Sequence, residues 1–165
     1  METYKEFLWV RLSGVQTLQY SVNTIVLMAA REIQKIIVHC TATPEGRNVS
    51  VDEIRRWHVK DNSWSDIGYH WIIELDGSLE EGRKEYRNGA HAKGYNSKSV
   101  GVVYVGGCDE EMKPKDTRTE AQKETLRCIL EDLKGRYPKA EIIGHRDVAN
   151  KACPSFDAKE EYKDI

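Results

Sequence analysis

A chain of 165 residues has room for one domain around a single hydrophobic core and too little for two well-filled ones. Its composition, 39% hydrophobic and 32% charged, is that of a globular protein, and a formal net charge of -2 without runs of one sign gives no footprint for nucleic acid or a membrane surface. No apolar stretch approaches the ~20 residues of a membrane-spanning helix, and four cysteines without a C-x-x-C pair argue for reduced thiols over a disulfide scaffold.

The N-terminal segment mixes Glu2, Lys5, Glu6 and Arg11 and lacks the basic start and continuous apolar core of a secretory signal, so synthesis in the cytoplasm is expected. Its longest apolar run is Thr24 to Ala30. Regular patterning begins after Met28, so residues 1–30 read as a poorly ordered extension ahead of a domain over 31–165, with translation from Met28 as the alternative. Gln34 to Ala42 is a β-branched run that predicts a buried strand with His39 near its end. Ser50 and Glu53 form an S-x-x-E capping box that starts a short helix carrying Ile54, Trp57 and His58. Tyr69 to Glu74 and Leu79 to Glu81 flank Asp76-Gly77, a dipeptide suited to a tight hairpin, with Tyr69 opening the first strand. Val100 to Val105 predicts a second buried strand.

Thr119 and Gln122 make another capping box, after which Leu126, Ile129, Leu130, Leu133 and Tyr137 recur at helical spacing as far as Pro138. Glu141 to Gly144 is a brief strand, His145 to Ser155 a loop, and Asp157 with Glu160 the start of a terminal helix. This alternation predicts a single α/β domain with a mixed central sheet flanked by helices.

Three residues at strand ends or in the following loop have metal-ligand chemistry: His39, His145 and Cys153. Two imidazoles and a thiolate match a catalytic zinc site, in which three protein ligands leave the fourth position to water. Taken one at a time, each is also an ordinary polar residue satisfied by a neighbour. Lys151 lies two residues before Cys153, on the same side of an extended loop, where an ammonium can stabilise an oxyanion or simply be solvated. Tyr69 offers a phenol or a packing ring. Cys40, Cys108 and Cys128 read as structural, Cys40 because it alternates to the face opposite His39 and Cys128 because it lies beside the apolar stripe of the long helix.

The strings VHCTAT (38–43), IRRWH (54–58), DIGYHWII (66–73), LDGSLEEGR (75–83), GAHAKGYN (89–96), SVGVVYVGG (99–107) and GHRDVANKACPSFD (144–157) together resemble the small N-acetylmuramoyl-L-alanine amidases of phage-lysozyme type. The resemblance covers roughly residues 33–160. It implies the fold of the peptidoglycan recognition proteins and hydrolysis, by a zinc-activated water, of the amide between the lactyl group of N-acetylmuramic acid and L-alanine. By the same resemblance Zn2+ is the cofactor, His39, His145 and Cys153 its ligands, and Tyr69 and Lys151 catalytic, while His91 and Asn96 border the substrate groove. Turn chemistry is the other reading of that loop. His58 and His70 are expected to be structural. The expected partner is peptidoglycan, met by a monomer acting on the cell wall after release. Three rivals remain at this stage: a binding module without activity, a thiol hydrolase with Cys153 as nucleophile, and a structural zinc domain.

Overall fold

The computed structural model describes residues 7–9, 19–21 and 31–165. The expected extension, with its Thr24–Ala30 run and Met28, lies outside the described residues apart from two short strands, β1 (Phe7–Trp9) and β2 (Gln19–Ser21), which pair antiparallel. Glu32–Ile165 forms a separate unit.

Within that unit the elements run β3 (Lys35–Cys40), β4 (Thr43–Pro44), α1 (Val51–Arg56), β5 (Trp71–Ile73), β6 (Leu79–Glu81), β7 (Ser99–Tyr104), β8 (Gly107–Cys108), α2 (Glu120–Arg136), β9 (Glu141–Gly144) and α3 (Ala158–Glu161). Five strands form the central sheet in the order β6-β5-β7-β3-β9. β3 lies parallel to both β7 and β9, β5 is parallel to β7, and β6 turns back antiparallel at the edge through the Asp76-Gly77 hairpin. This is the mixed α/β sheet that the sequence predicts.

Side chains alternate across a strand, and here the alternation separates core from chemistry. Ile36, Val38 and Cys40 of β3 pack with Val100, Val102 and Tyr104 of β7 and with Leu126, Ile129, Leu130 and Leu133 of α2 in the largest core cluster. Ile37 and Ile143 face the opposite side, where they meet Ala92. His39 is two residues beyond Ile37 and therefore belongs to that second face.

Capping places the helices. Thr119 Oγ1 accepts from Gln122 N at 3.1 Å while Gln122 Oε1 accepts from Thr119 N at 3.0 Å, so the predicted box is complete. The buried Gln122 amide also donates to Val105 O at 2.9 Å, which pins the start of α2 to the end of β7. At α1 only half the predicted box forms. Ser50 Oγ accepts from Glu53 N at 3.3 Å, but the Glu53 carboxylate pairs with Arg47 at 3.0 Å. α1 then continues into a wider turn, Trp57–Asp61, which carries His58.

Two expectations need correction. Tyr69 precedes β5 and lies in an irregular segment, because Gly68 packs against the Ala90 carbonyl, where a Cβ would come within 2.4 Å. Cys128 is exposed on α2, its neighbour Ile129 taking the buried position instead.

The loop that carries Cys153 is anchored to the sheet through Tyr104, whose buried hydroxyl donates to Pro154 O at 2.6 Å. Replacing Tyr104 by Phe keeps the ring but leaves that carbonyl without its partner, so unfolding in urea is expected to show a loss of about 1–3 kcal/mol. An unchanged midpoint would show that the hydroxyl contributes nothing to holding the loop.

Candidate active site

β3 ends under an open surface, and its last two residues point to opposite faces. His39 is buried there, with its ring 4.5 Å from that of His145 between centroids. His145 starts a short turn, His145–Asp147, directly after β9; the Asp147 carboxylate accepts from Gly144 N at 2.8 Å and tightens that turn. Arg146 N donates to Cys153 O at 2.7 Å, closing the intervening loop so that the sulfur returns to the strand end. Cys40 N then donates to Cys153 Sγ at 3.2 Å.

One ligand atom each from His39, His145 and Cys153 lies within 4.8 Å of the others. His39 Nδ1 stands 3.8 Å from Cys153 Sγ. Tetrahedral zinc with ordinary bond lengths separates a nitrogen and a sulfur ligand by about 3.6 Å, so the donor types fit a metal ion and the His39–Cys153 pair already stands near that spacing. The electrostatics favour the ligand form of both rings. Burial first, then neighbouring imidazoles and Lys151, hold His39 well below the ordinary histidine range, and burial with Lys151 lowers His145 in the same direction. Neutral imidazole is the form that binds metal. Without an ion, hydrogen bonding to Cys40 and then burial push the Cys153 thiol up; a coordinated divalent cation deprotonates such a thiol outright.

Tyr69 lies beside these groups, its ring 5.1 Å from that of His39. The segment is held from three sides: Gly68 N donates to His58 Nδ1 at 3.0 Å, Arg83 Nε donates to Ile67 O at 2.7 Å, and Arg83 N donates to Tyr69 O at 2.8 Å. Burial, followed by the nearby Cys153 and Cys40, pushes the Tyr69 phenol up, so it stays protonated. Lys151 is exposed on the Cys153 loop and lines the same cleft as His145. All five residues singled out in the sequence therefore surround one place.

The family model for N-acetylmuramoyl-L-alanine amidases matches residues 29–156. Endolysins of Enterobacteria phage K11 and Escherichia phage T7 are 50% and 51% identical over 77% and 75% of this chain, covering 83% and 82% of their own lengths. The solved N-acetylmuramoyl-L-alanine amidase LysC from Clostridium intestinale superposes with a TM-score of 0.67 at 28% identity, over 79% of this chain and 82% of its own. The chain belongs to the N-acetylmuramoyl-L-alanine amidase family. Its reaction is hydrolysis of the amide that joins the stem peptide to N-acetylmuramic acid in peptidoglycan.

In this amidase a cleft of about 510 Å³ opens beside the ligand cluster, lined among others by Trp64, His91, Lys93, Asn96, His145 and Lys151. Trp64, partly exposed and stacked on His58 at 4.6 Å, was not singled out from sequence; an aromatic two residues before the DIGYH string was the available signal. His70 is structural as expected: buried, it accepts from Gly101 N through Nδ1 at 2.9 Å and meets Arg87 O through Nε2 at 3.0 Å. His91 and Asn96, expected at the groove, do border the cleft, but both also build it. Asn96 Oδ1 accepts from His91 N and Ala92 N, each at 2.9 Å, and His91 is buried against His39. Asn96→Ala leaves two loop N–H groups without that acceptor. A loss of roughly 1–3 kcal/mol in denaturant unfolding is expected, whereas a residue that only touches substrate would leave stability unchanged.

Proposed function

We propose that this amidase is a zinc enzyme in which His39, His145 and Cys153 hold the ion and Tyr69 and Lys151 are the catalytic residues. One observation carries the reading: three ligand atoms of zinc-binding type lie within 4.8 Å of one another beside a cleft that His145 and Lys151 line, with the Tyr69 ring next to that of His39. When bound there, zinc polarises the lactyl carbonyl and lowers the pKa of a water toward 7.

The protein's own groups do the rest. Lys151 brings a positive charge to the oxygen that becomes anionic when the carbonyl is attacked, and Tyr69, kept protonated by its surroundings, donates a hydrogen bond to the same oxygen. In this reading the proton of the attacking water reaches the departing amine of L-alanine through the Tyr69 hydroxyl, which gives up its own proton as it takes the water's and so ends protonated. The buried rings of His39 and His91 help exclude bulk water from the floor of the cleft. Three ligands gather among the described residues and no fourth, which leaves a structural, four-ligand zinc site unsupported. Among the described residues no helix is long and apolar enough to cross a membrane. Synthesis in the cytoplasm and action on the wall after release is the role that fits the endolysin relatives.

Digestion of purified peptidoglycan, with mass spectrometry of the products, tests this reading. Free stem peptides beginning at L-alanine are expected, lost on chelation and regained with Zn2+; cleaved sugars, or activity that survives chelation and dies on alkylation, would contradict it. Tyr69→Phe and Lys151→Met should each lower turnover by roughly 100- to 1,000-fold, the range for losing one oxyanion donor, while bound metal stays at the level of the parent. A parallel loss of metal would place these residues in the ion's support instead.

A further inference from the structure

The three metal ligands do not by themselves fix how the His39 ring is turned. His39 Nε2 lies 3.0 Å from Nδ1 of His91, in a buried contact between rings set edge to face. The other nitrogen of His91, Nε2, lies 3.3 Å from Ser99 Oγ, and Ser99 Oγ donates to Tyr95 O at 2.9 Å.

The direction of every proton in this chain follows from its far end. A carbonyl only accepts, and a hydroxyl has a single proton to give. Ser99, having given that proton to Tyr95 O, accepts from His91, so His91 carries its hydrogen on Nε2 and its Nδ1 is bare. A bare Nδ1 accepts from His39 Nε2–H. His39 Nδ1 is then the nitrogen left without a proton, and it is the one that faces Cys153 Sγ at 3.8 Å.

Packing holds the relay in place. A Cβ at Gly89 would come within 2.4 Å of His91 Cδ2, and one at Gly101 within 2.6 Å of His91 Cγ, so the ring is clasped between two backbones that have no side chains. Asn96 fixes the His91 backbone from the loop side. A half-turn of the ring would put Cδ2 where Nδ1 stands and Cε1 where Nε2 stands, so only the observed orientation makes both contacts.

We propose that His91 is a positioning residue for the metal site: it accepts the His39 Nε2 proton and so selects the tautomer and tilt that present His39 Nδ1 to the ion. Metal-bound histidines commonly donate their second nitrogen to a carboxylate, a backbone carbonyl or water. Here the acceptor is a second imidazole, itself oriented by Ser99. The consequence for metal binding rests on the zinc reading above; the placement of the protons does not.

The two are measured separately. In metal-free protein with 15N-labelled histidine, long-range proton–nitrogen correlation should show His39 and His91 both protonated on Nε2, with the His39 Hε2 signal protected from solvent exchange. A proton on Nδ1 of either ring overturns the proposal. In His91→Leu the protected His39 signal should vanish, and competition of Zn2+ with a chromogenic chelator should show an affinity about 10- to 100-fold weaker, the usual effect of losing a partner behind a ligand. Ser99→Ala, which keeps both rings, should weaken Zn2+ in the same direction by a smaller factor, and it decides the matter if His91→Leu does not fold. Affinity equal to the parent's in a folded His91→Leu overturns the proposal. A parent protein that binds no Zn2+ overturns the zinc reading instead, and the proton positions then decide the relay alone.

Discussion

Everything at this site depends on the pleat of one strand end. At His39 and Cys40 consecutive side chains leave β3 on opposite faces: the imidazole turns toward His145 and Tyr69 while the Cys40 side chain joins the α2-facing core. Between them the Cys40 backbone N–H, past the last rung of pairing with β9, donates to Cys153 Sγ. A single peptide group at the end of an inner strand therefore joins the core, the first of the three candidate ligands and the last. The strand can serve as this platform because β7 and β9 hold it on both edges, and because its remaining residues are almost completely buried.

The environment so created keeps the two candidate ligand rings neutral. Burial, crowding of three imidazoles and the charge of Lys151 all oppose protonation of His39, so the ring is neutral in the form a metal needs. The proposed metal ligation and oxyanion stabilisation draw on one arrangement: Lys151 favours neutral imidazoles, and the same charge is proposed to meet an anionic substrate oxygen. Tyr69 completes the pattern as a phenol that its surroundings keep protonated.

Much of this was legible in the sequence where the signal is local. The Thr119–Gln122 box and the leucine spacing that follows it locate α2, Asp76-Gly77 locates the hairpin, and the β-branched runs locate β3 and β7. Local patterning says less where a residue's environment comes from distant chain. Cys128 neighbours the apolar stripe in sequence but falls on the solvent side, and Tyr69 continues a β-like run that Gly68 and the Ala90 carbonyl interrupt. Cys153 is 114 residues from His39, so no periodicity links them; the family resemblance brought them together, and the loop closed by Arg146 and Cys153 shows how. The family resemblance of its loop puts His91 at the border of the groove, and no local pattern in the sequence says more about it. Gly89 of the loop and Gly101 of β7 let its ring lie against backbone and reach His39, 52 residues away.

The claim at the centre of this account is that a fold-built set of two imidazoles and one thiolate holds a zinc ion with one position open. Zinc K-edge X-ray absorption on the protein as purified examines that set directly. One sulfur at about 2.3 Å, two imidazole nitrogens at about 2.0–2.1 Å and one further light atom are expected. A shell without sulfur, or one closed by four protein ligands, would contradict it.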